Sequence, residues 1–143
     1  MEVPEELLPF AAASRFDRGE LTVEVLPGQV IEACRVLKSQ LGFERCSTIT
    51  AVDRFPSQPR FEIVYHLHSV RNNRRIRLKA RLDDGQEIDS VTSVWRGADW
   101  YEREVFDLFG VTFRGHPDLR RIMMPDDWQG SPLRKDYPVV GYK

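Results

Sequence analysis

Residues Arg60–Leu82 constrain the fold more than any other stretch. Phe61, Ile63, Tyr65 and Leu67 alternate with polar or smaller neighbours, and Ile76, Leu78, Ala80 and Leu82 repeat the pattern after Asn72-Asn73. A period of two over this length is the signature of strands with one buried face. Asparagine tolerates positive φ, so Asn72-Asn73 predicts a two-residue hairpin turn. That turn opposes Leu67 to Leu78, Tyr65 to Ala80 and Ile63 to Leu82. A one-residue slip would put one apolar set into water. The chain must therefore contain an antiparallel sheet with an apolar face to cover.

The opposite face of the hairpin carries Glu62, His66 and His68 against Arg75, Arg77, Lys79 and Arg81. Alternating cations suit a phosphate-reading ladder, as on a ferredoxin-like module that binds RNA. Such a sheet normally offers aromatic rings for stacking, and this face has none beyond the imidazoles. The preferred reading is a solvated or partner-facing strand whose charges discourage edge pairing. His66 and His68 share a side, but a metal needs further ligands, and Arg77 and Lys79 would repel a cation.

The rest of the chain supplies the cover. Met1–Asp17, with Leu7, Leu8 and Phe10 around Pro9, reads as a short helix docking at a surface. Glu20–Val25 alternates as a half-buried strand. Pro27-Gly28 turns into a helix whose Val30, Ala33, Cys34, Leu37 and Leu41 recur at helical spacing, stopped by Gly42. Phe43–Val52 reads as a strand, Asp83-Asp84-Gly85 as a turn, and Ile88–Trp95 as the approach to a second helix.

In that second helix Ala98, Tyr101, Val105, Phe106, Leu108 and Phe109 share one arc, Asp99, Arg103 and Asp107 lie opposite, and Gly110 supplies a left-handed stop. Two residues break the wheel. Glu102 falls on the apolar arc, where a carboxylate needs a partner. Two arrangements serve: a capping box with Asp99 as N-cap, or an ion pair with Arg120 or Arg121 after the turn at His116-Pro117. Trp100 falls on the polar side, as a flank covered by loops or as a contact for another protein. His116 lacks a neighbouring nucleophile, so it is expected to orient backbone or pair with a carboxylate rather than to catalyse.

After Met124 the prolines Pro125, Pro132 and Pro138 exclude regular structure, yet Trp128, Leu133, Tyr137, Val139 and Val140 are apolar. Such a tail suits draping over a partner. The predicted architecture is α+β: a mostly antiparallel sheet with helices on one face, ferredoxin-like in its order β-α-β-β-β-α, with a short strand near Arg121–Met123. Residues 1–124 form one domain, and 125–143 an extended C-terminal tail docking on partner subunits. With 21 basic and 22 acidic residues among 143, no global field favours nucleic acid or lipid. No apolar run approaches the roughly 20 residues of a spanning helix, and no signal peptide opens the chain. Cys34 and Cys46 lack metal-ligand spacing and read as buried small hydrophobes; two thiols are too few for an iron–sulfur cluster.

Glu102-Arg103-Glu104, Asp107-Leu108-Phe109, His116 and Arg120-Arg121-Ile122-Met123, at these spacings, resemble the signature of the 30 kDa (C) subunit of proton-pumping NADH:quinone oxidoreductase (respiratory complex I). Trp128, the run Pro132-Leu133-Arg134-Lys135-Asp136-Tyr137-Pro138 and the earlier Ala51-Val52-Asp53 are similar to that family too. The resemblance implies a structural and assembly subunit of the hydrophilic arm. It implies a place beside the quinone-site (D) subunit and near the iron–sulfur (B and I) subunits, peripheral on the cytoplasmic side of a bacterial inner membrane. NAD, FMN, iron–sulfur clusters and quinone are then expected in partner subunits and none in this chain, which by itself would be non-catalytic. The equivalent component of a membrane-bound hydrogenase, or of another quinone-reducing complex, is the alternative. Trp100, Glu102, Arg103, Glu104, Asp107, His116, Arg120, Arg121, Trp128, Arg134, Lys135, Asp136 and Tyr137 are the signature and interface candidates.

Overall fold

The computed structural model describes residues 3–138. Five strands form one sheet: β1 (Ala11–Asp17), β2 (Glu20–Val25), β3 (Arg45–Asp53), β4 (Phe61–Ser69) and β5 (Arg74–Leu82), in the order β1-β2-β5-β4-β3. After β2 the helix α1 (Val30–Ser39) carries the chain across the sheet to its far edge at β3. The meander β3-β4-β5 then returns to lie parallel to β2, while all other neighbours are antiparallel. The fold is thus α+β with a mostly antiparallel sheet, as expected.

Leu21, Val23, Ile63, Tyr65, Leu67, Leu78 and Ala80 lie on one face of that sheet and are almost completely buried. They meet Val30, Ala33, Cys34 and Leu37 of α1 in one hydrophobic core. A second helix, α2 (Ala98–Phe109), packs against β3. Gly110 ends it with φ +78°, the left-handed geometry that its place in the sequence predicts.

The first strand departs from expectation. The opening segment holds a short 3-10 turn at Glu5–Leu7, but Ala11–Asp17 is β1, turned onto β2 at Arg18-Gly19 with both φ positive. Nearly all of β1 is solvent-exposed. An edge strand with no buried side carries no apolar alternation, and so leaves no periodic signal.

The hairpin register also differs. Leu67 pairs with Ile76, Tyr65 with Leu78 and Ile63 with Ala80, not with Leu78, Ala80 and Leu82. The connection is the four-residue loop Val70–Asn73, in which the Asn73 N–H returns to the Val70 carbonyl at 3.3 Å and only Asn73 has positive φ, +49°. A primed two-residue turn needs positive φ at both central residues. The slip is by two residues, so every side chain keeps its face.

The expected short strand near the C-terminus moves as well. The short strand lies not at Arg121–Met123 but at β7 (Phe113–Arg114), parallel to β6 (Ile88–Asp89). Between β6 and α2, the buried Trp95 donates its indole N–H to the Phe43 carbonyl at 3.0 Å. No described helix is long and apolar enough to cross a membrane. Val139 and Val140, expected to dock the tail, lie outside the described residues.

Candidate functional site: the C-terminal clasp and the Glu102 pocket

The signature residues fall into two neighbouring constellations. The first forms around Asp107, placed by the wheel on the polar side of α2 yet only 1% exposed. Its carboxylate accepts the backbone N–H groups of Ile122, Met123 and Met124 at 2.6–3.1 Å. Arg121 Nε adds a fourth contact at 2.6 Å. Burial works to raise the Asp107 pKa, but the Arg121 bond and the three amides outweigh it and leave it lowered. This capture occupies the backbone that a strand at Arg121–Met123 would have needed. Arg121 also donates to the Trp128 and Gly130 carbonyls, at 2.5 and 2.6 Å, drawing in the segment beyond.

The second anchor of that segment is a buried ion network. Arg60 is 3% exposed and grips Asp53, itself 4% exposed, through two bonds of 2.8 Å. Asp136 meets Arg60 at 3.0 Å and Arg134 at 3.1 Å, and Arg134 also reaches Asp84 at 2.7 Å. The backbone N–H of Lys135 donates to Asp53 at 2.7 Å. The Arg60 bond holds Asp53 well below the usual carboxylate range despite burial, and the Arg60 and Arg134 bonds pull Asp136 down to about 2. The Phe61 ring lies beneath both guanidiniums, 5.0 Å from Arg60 and 5.2 Å from Arg134. Between the anchors, the Leu133 N–H donates to the Leu108 carbonyl. Tyr137 turns its N–H to the Arg134 carbonyl and is half-buried. Residues 125–138 are therefore clasped to their own domain at both ends.

Glu102 occupies a separate pocket and corrects both expectations for it. The N-cap is Gly97 with no side-chain cap bond, so there is no capping box with Asp99. Neither arginine reaches Glu102: Arg120 pairs with the exposed Asp118 at 3.1 Å, and Arg121 belongs to Asp107. The fully buried Glu102 instead meets the Ser90 hydroxyl at 2.6 Å and the Val91 N–H at 2.8 Å, both from the loop after β6. Burial dominates and pushes its pKa up to about 7, with Asp99 adding to the rise, while the bonds to Ser90 and Val91 offset part of it. His116, its side chain wholly buried, pairs with the Asp99 carboxylate at 3.0 Å and comes within 4.0 Å of Glu102. Its Nδ1 accepts the Asp118 N–H, so it both orients backbone and meets a carboxylate, as its sequence context suggests.

The remaining candidates lie toward the surface. Trp100 is 50% exposed, with the Arg103 guanidinium 5.5 Å over its ring, and Arg103 pairs with Asp99 at 3.0 Å. Glu104 is half-buried. Trp128 is exposed, as are Met123 and Leu133. Sequence reasoning missed Arg60, Asp84 and Ser90. The sole trace of the first was an opposite charge at each end of the proline-rich loop from Asp53 to Arg60. Cys34 and Cys46 are free and buried, as expected, and burial raises both thiol pKa values, Cys46 to about 12. Among the described residues no group of three or more His, Cys, Asp or Glu is placed to hold a metal ion.

A small α+β domain that commits its signature charges to fixing its own C-terminal segment, and leaves tryptophans exposed beside it, has the build of a component of a larger assembly. Comparison with known proteins gives the family. The chain belongs to the respiratory-chain NADH dehydrogenase 30 Kd subunit family, whose model matches residues 23–143. The C subunit of NADH-quinone oxidoreductase from Geobacter sulfurreducens is 54% identical over 126 residues, covering 87% of this chain and 78% of the relative. The corresponding C 2 subunit of Rhizobium meliloti is 50% identical over 121 residues, covering 83% of this chain and 66% of that relative. In the solved structure of a membrane-bound sulfane sulfur reductase, an archaeal respiratory membrane complex, one chain superposes with TM-score 0.82 at 30% identity. That match covers 95% of this chain and 83% of the other. The chain is accordingly one component of a membrane-associated respiratory complex of the NADH-quinone oxidoreductase type.

Proposed function

We propose that this chain braces the hydrophilic arm of an NADH:quinone oxidoreductase, seated beside the quinone-site (D) subunit and near the iron–sulfur (B and I) subunits. In this reading it stands on the cytoplasmic side of the membrane and holds none of the NAD, FMN, iron–sulfur clusters or quinone itself. The complex couples electron flow from NADH to quinone with proton translocation, while the isolated chain performs no redox step. The observation that carries the reading is the 54% identity to a C subunit over 87% of the chain. The chemistry of the described residues supports it: Glu102, Asp107, Asp136, Arg121 and Arg134 are engaged in holding backbone and neighbouring side chains, a positioning role rather than a catalytic one.

The equivalent component of a complex fed by another donor is a second reading, favoured by the likeness to a chain of the sulfane sulfur reductase complex. Its lower identity, 30% against 54%, ranks it behind. Capture of the tagged chain from detergent-solubilised membranes tests both. Co-purified D, B and I subunits with NADH-dependent quinone reduction are the expected result. Recovery of a complex that reduces quinone only from hydrogen, or another donor, would overturn the NADH assignment. The purified chain alone should show no visible absorbance and no bound iron, flavin or nicotinamide, and a stoichiometric cluster would refute the cofactor-free role.

A further inference from the structure

The outer face of the sheet, away from the core, is a ladder of charges that the chain neutralises almost throughout. Arg77 pairs with Glu20, Arg81 with Glu24 at 3.0 Å, and Lys79 with Glu62 at 3.2 Å. Arg54 joins Glu62 from the loop side at 2.8 Å. The acids come from β2 and from the start of β4, and each reaches a cation diagonal to it in the strand register rather than the one directly opposite.

At the end of the face nearest the β4–β5 loop the supply stops. Arg45, His68 and Arg75 stand in one row across β3, β4 and β5, opposed directly in the strand register. The β2 carboxylate nearest Arg75, that of Glu20, is committed to Arg77 one step along. Glu44, the other acid at this end, turns its carboxylate to the backbone N–H of Val70 at 2.5 Å. Arg45 and Arg75 are exposed, as is Arg71 in the loop, and no described residue forms an ion pair with any of them.

We propose that this row, Arg45–His68–Arg75 with Arg71 beside it, docks an acidic segment of a neighbouring subunit, whose carboxylates continue the ladder that the chain leaves unfinished. The proposal rests on the assembly role above and names a surface for it. The spacing fits: adjacent strands lie about 4.8 Å apart, so the two arginines flank His68 at a distance that carboxylates on one extended segment can bridge. Arginine presents a planar fork suited to such carboxylates. An RNA strand would want rings on this face, which offers only imidazoles.

The test uses the assembled complex in its membranes. R45E/R75E, with R45Q/R75Q as the milder pair, is introduced and the tagged chain captured over a salt series. The expected result is recovery of partner subunits reduced about tenfold in the reversed variant, with the complex dissociating at lower salt, while the chain keeps wild-type circular dichroism and protease resistance. If the reversed pair fails to fold, the glutamine pair is expected to show the same lowered salt tolerance. R75K, treated in the complex with a zero-length carbodiimide, should crosslink to an Asp or Glu of another subunit. Unchanged recovery and salt tolerance in both pairs would overturn the proposal. So would an RNA mobility shift, or co-flotation with phosphatidylserine vesicles, that the wild type shows and R45E/R75E loses. Failure of the wild-type chain to capture any respiratory subunit would instead overturn the assembly reading beneath it.

Discussion

Replacing Glu102 with glutamine discriminates sharply between a buried ion pair and a buried acid that holds its proton. The pKa rises from 4.5 to about 7 because burial in the α2–β6 interface disfavours the anion. At about 1.4 kcal/mol per pH unit, that rise corresponds to about 3 kcal/mol. The sign follows from proton uptake. The folded state holds the proton more tightly than the unfolded one, so Glu102 contributes fully below about pH 4.5, and that contribution is lost as pH rises through 7. A protonated Glu102 can donate to Ser90 Oγ while accepting from Val91 N–H, and a glutamine reproduces both bonds. Glu102→Gln should therefore match the wild type below about pH 4 and exceed it by up to about 3 kcal/mol at pH 8.5. Urea midpoints followed by fluorescence of the buried Trp95 measure this. Glu102→Ala, which orphans Ser90 and Val91, should lose about 2–4 kcal/mol at low pH, a deficit that shrinks as pH rises through 7 because the variant lacks the same titration. A Glu102→Gln variant weakened by about 3–5 kcal/mol at alkaline pH, the signature of a broken buried ion pair, would refute the reasoning.

Three further perturbations address the clasp. Arg60→Met leaves Asp53 buried without its cation and should cost about 3–5 kcal/mol in chemical denaturation. Arg60 holds Asp53 below its ordinary 3.8, so that stabilisation is present above about pH 4 and lost as pH falls; the variant should show a flatter acid limb, and an unchanged limb would count against the network. Asp107→Ala frees the amides of residues 122–124 and the Arg121 guanidinium, so it should lose about 2–4 kcal/mol and speed proteolytic cutting beyond residue 121, with wild-type protease resistance as the contrary outcome. Gly110→Ala places a side chain at φ +78° with its Cβ 3.2 Å from Ser131 Oγ, and a loss of about 1–2 kcal/mol is expected, read as a lower thermal midpoint.

Where burial imposes a period, the sequence alone is enough. Leu21, Val23 and Val25 on β2, the alternation on β4 and β5, and the stripe of α1 each sit on the face that their spacing assigns. Gly110 stops α2 because its left-handed geometry is nearly free only for glycine. The family signature is equally legible, since its residue types stand at fixed separations. What escapes is whatever depends on a partner distant in the chain. Asp107 looks like a solvated carboxylate until the 122–124 backbone closes over it. Glu102 plainly needs a partner, but Ser90 and Val91 cannot be named from a helical wheel.

The hairpin shows the boundary between the two kinds of information. Alternation fixes which face a side chain takes, and a slip of two residues leaves that unchanged, so local pattern cannot select between Leu67–Leu78 and the observed Leu67–Ile76. Loop geometry decides it, through the single positive φ at Asn73. Likewise, opposite charges at Asp53 and Arg60 are visible in the chain, but their burial with Arg134 and Asp136 is not. Short-range periodicity is written in the order of residues because each element must bury one face. The choice among chemically equivalent charged partners belongs to the folded chain, where only distance and exclusion of water make one pairing better than the rest.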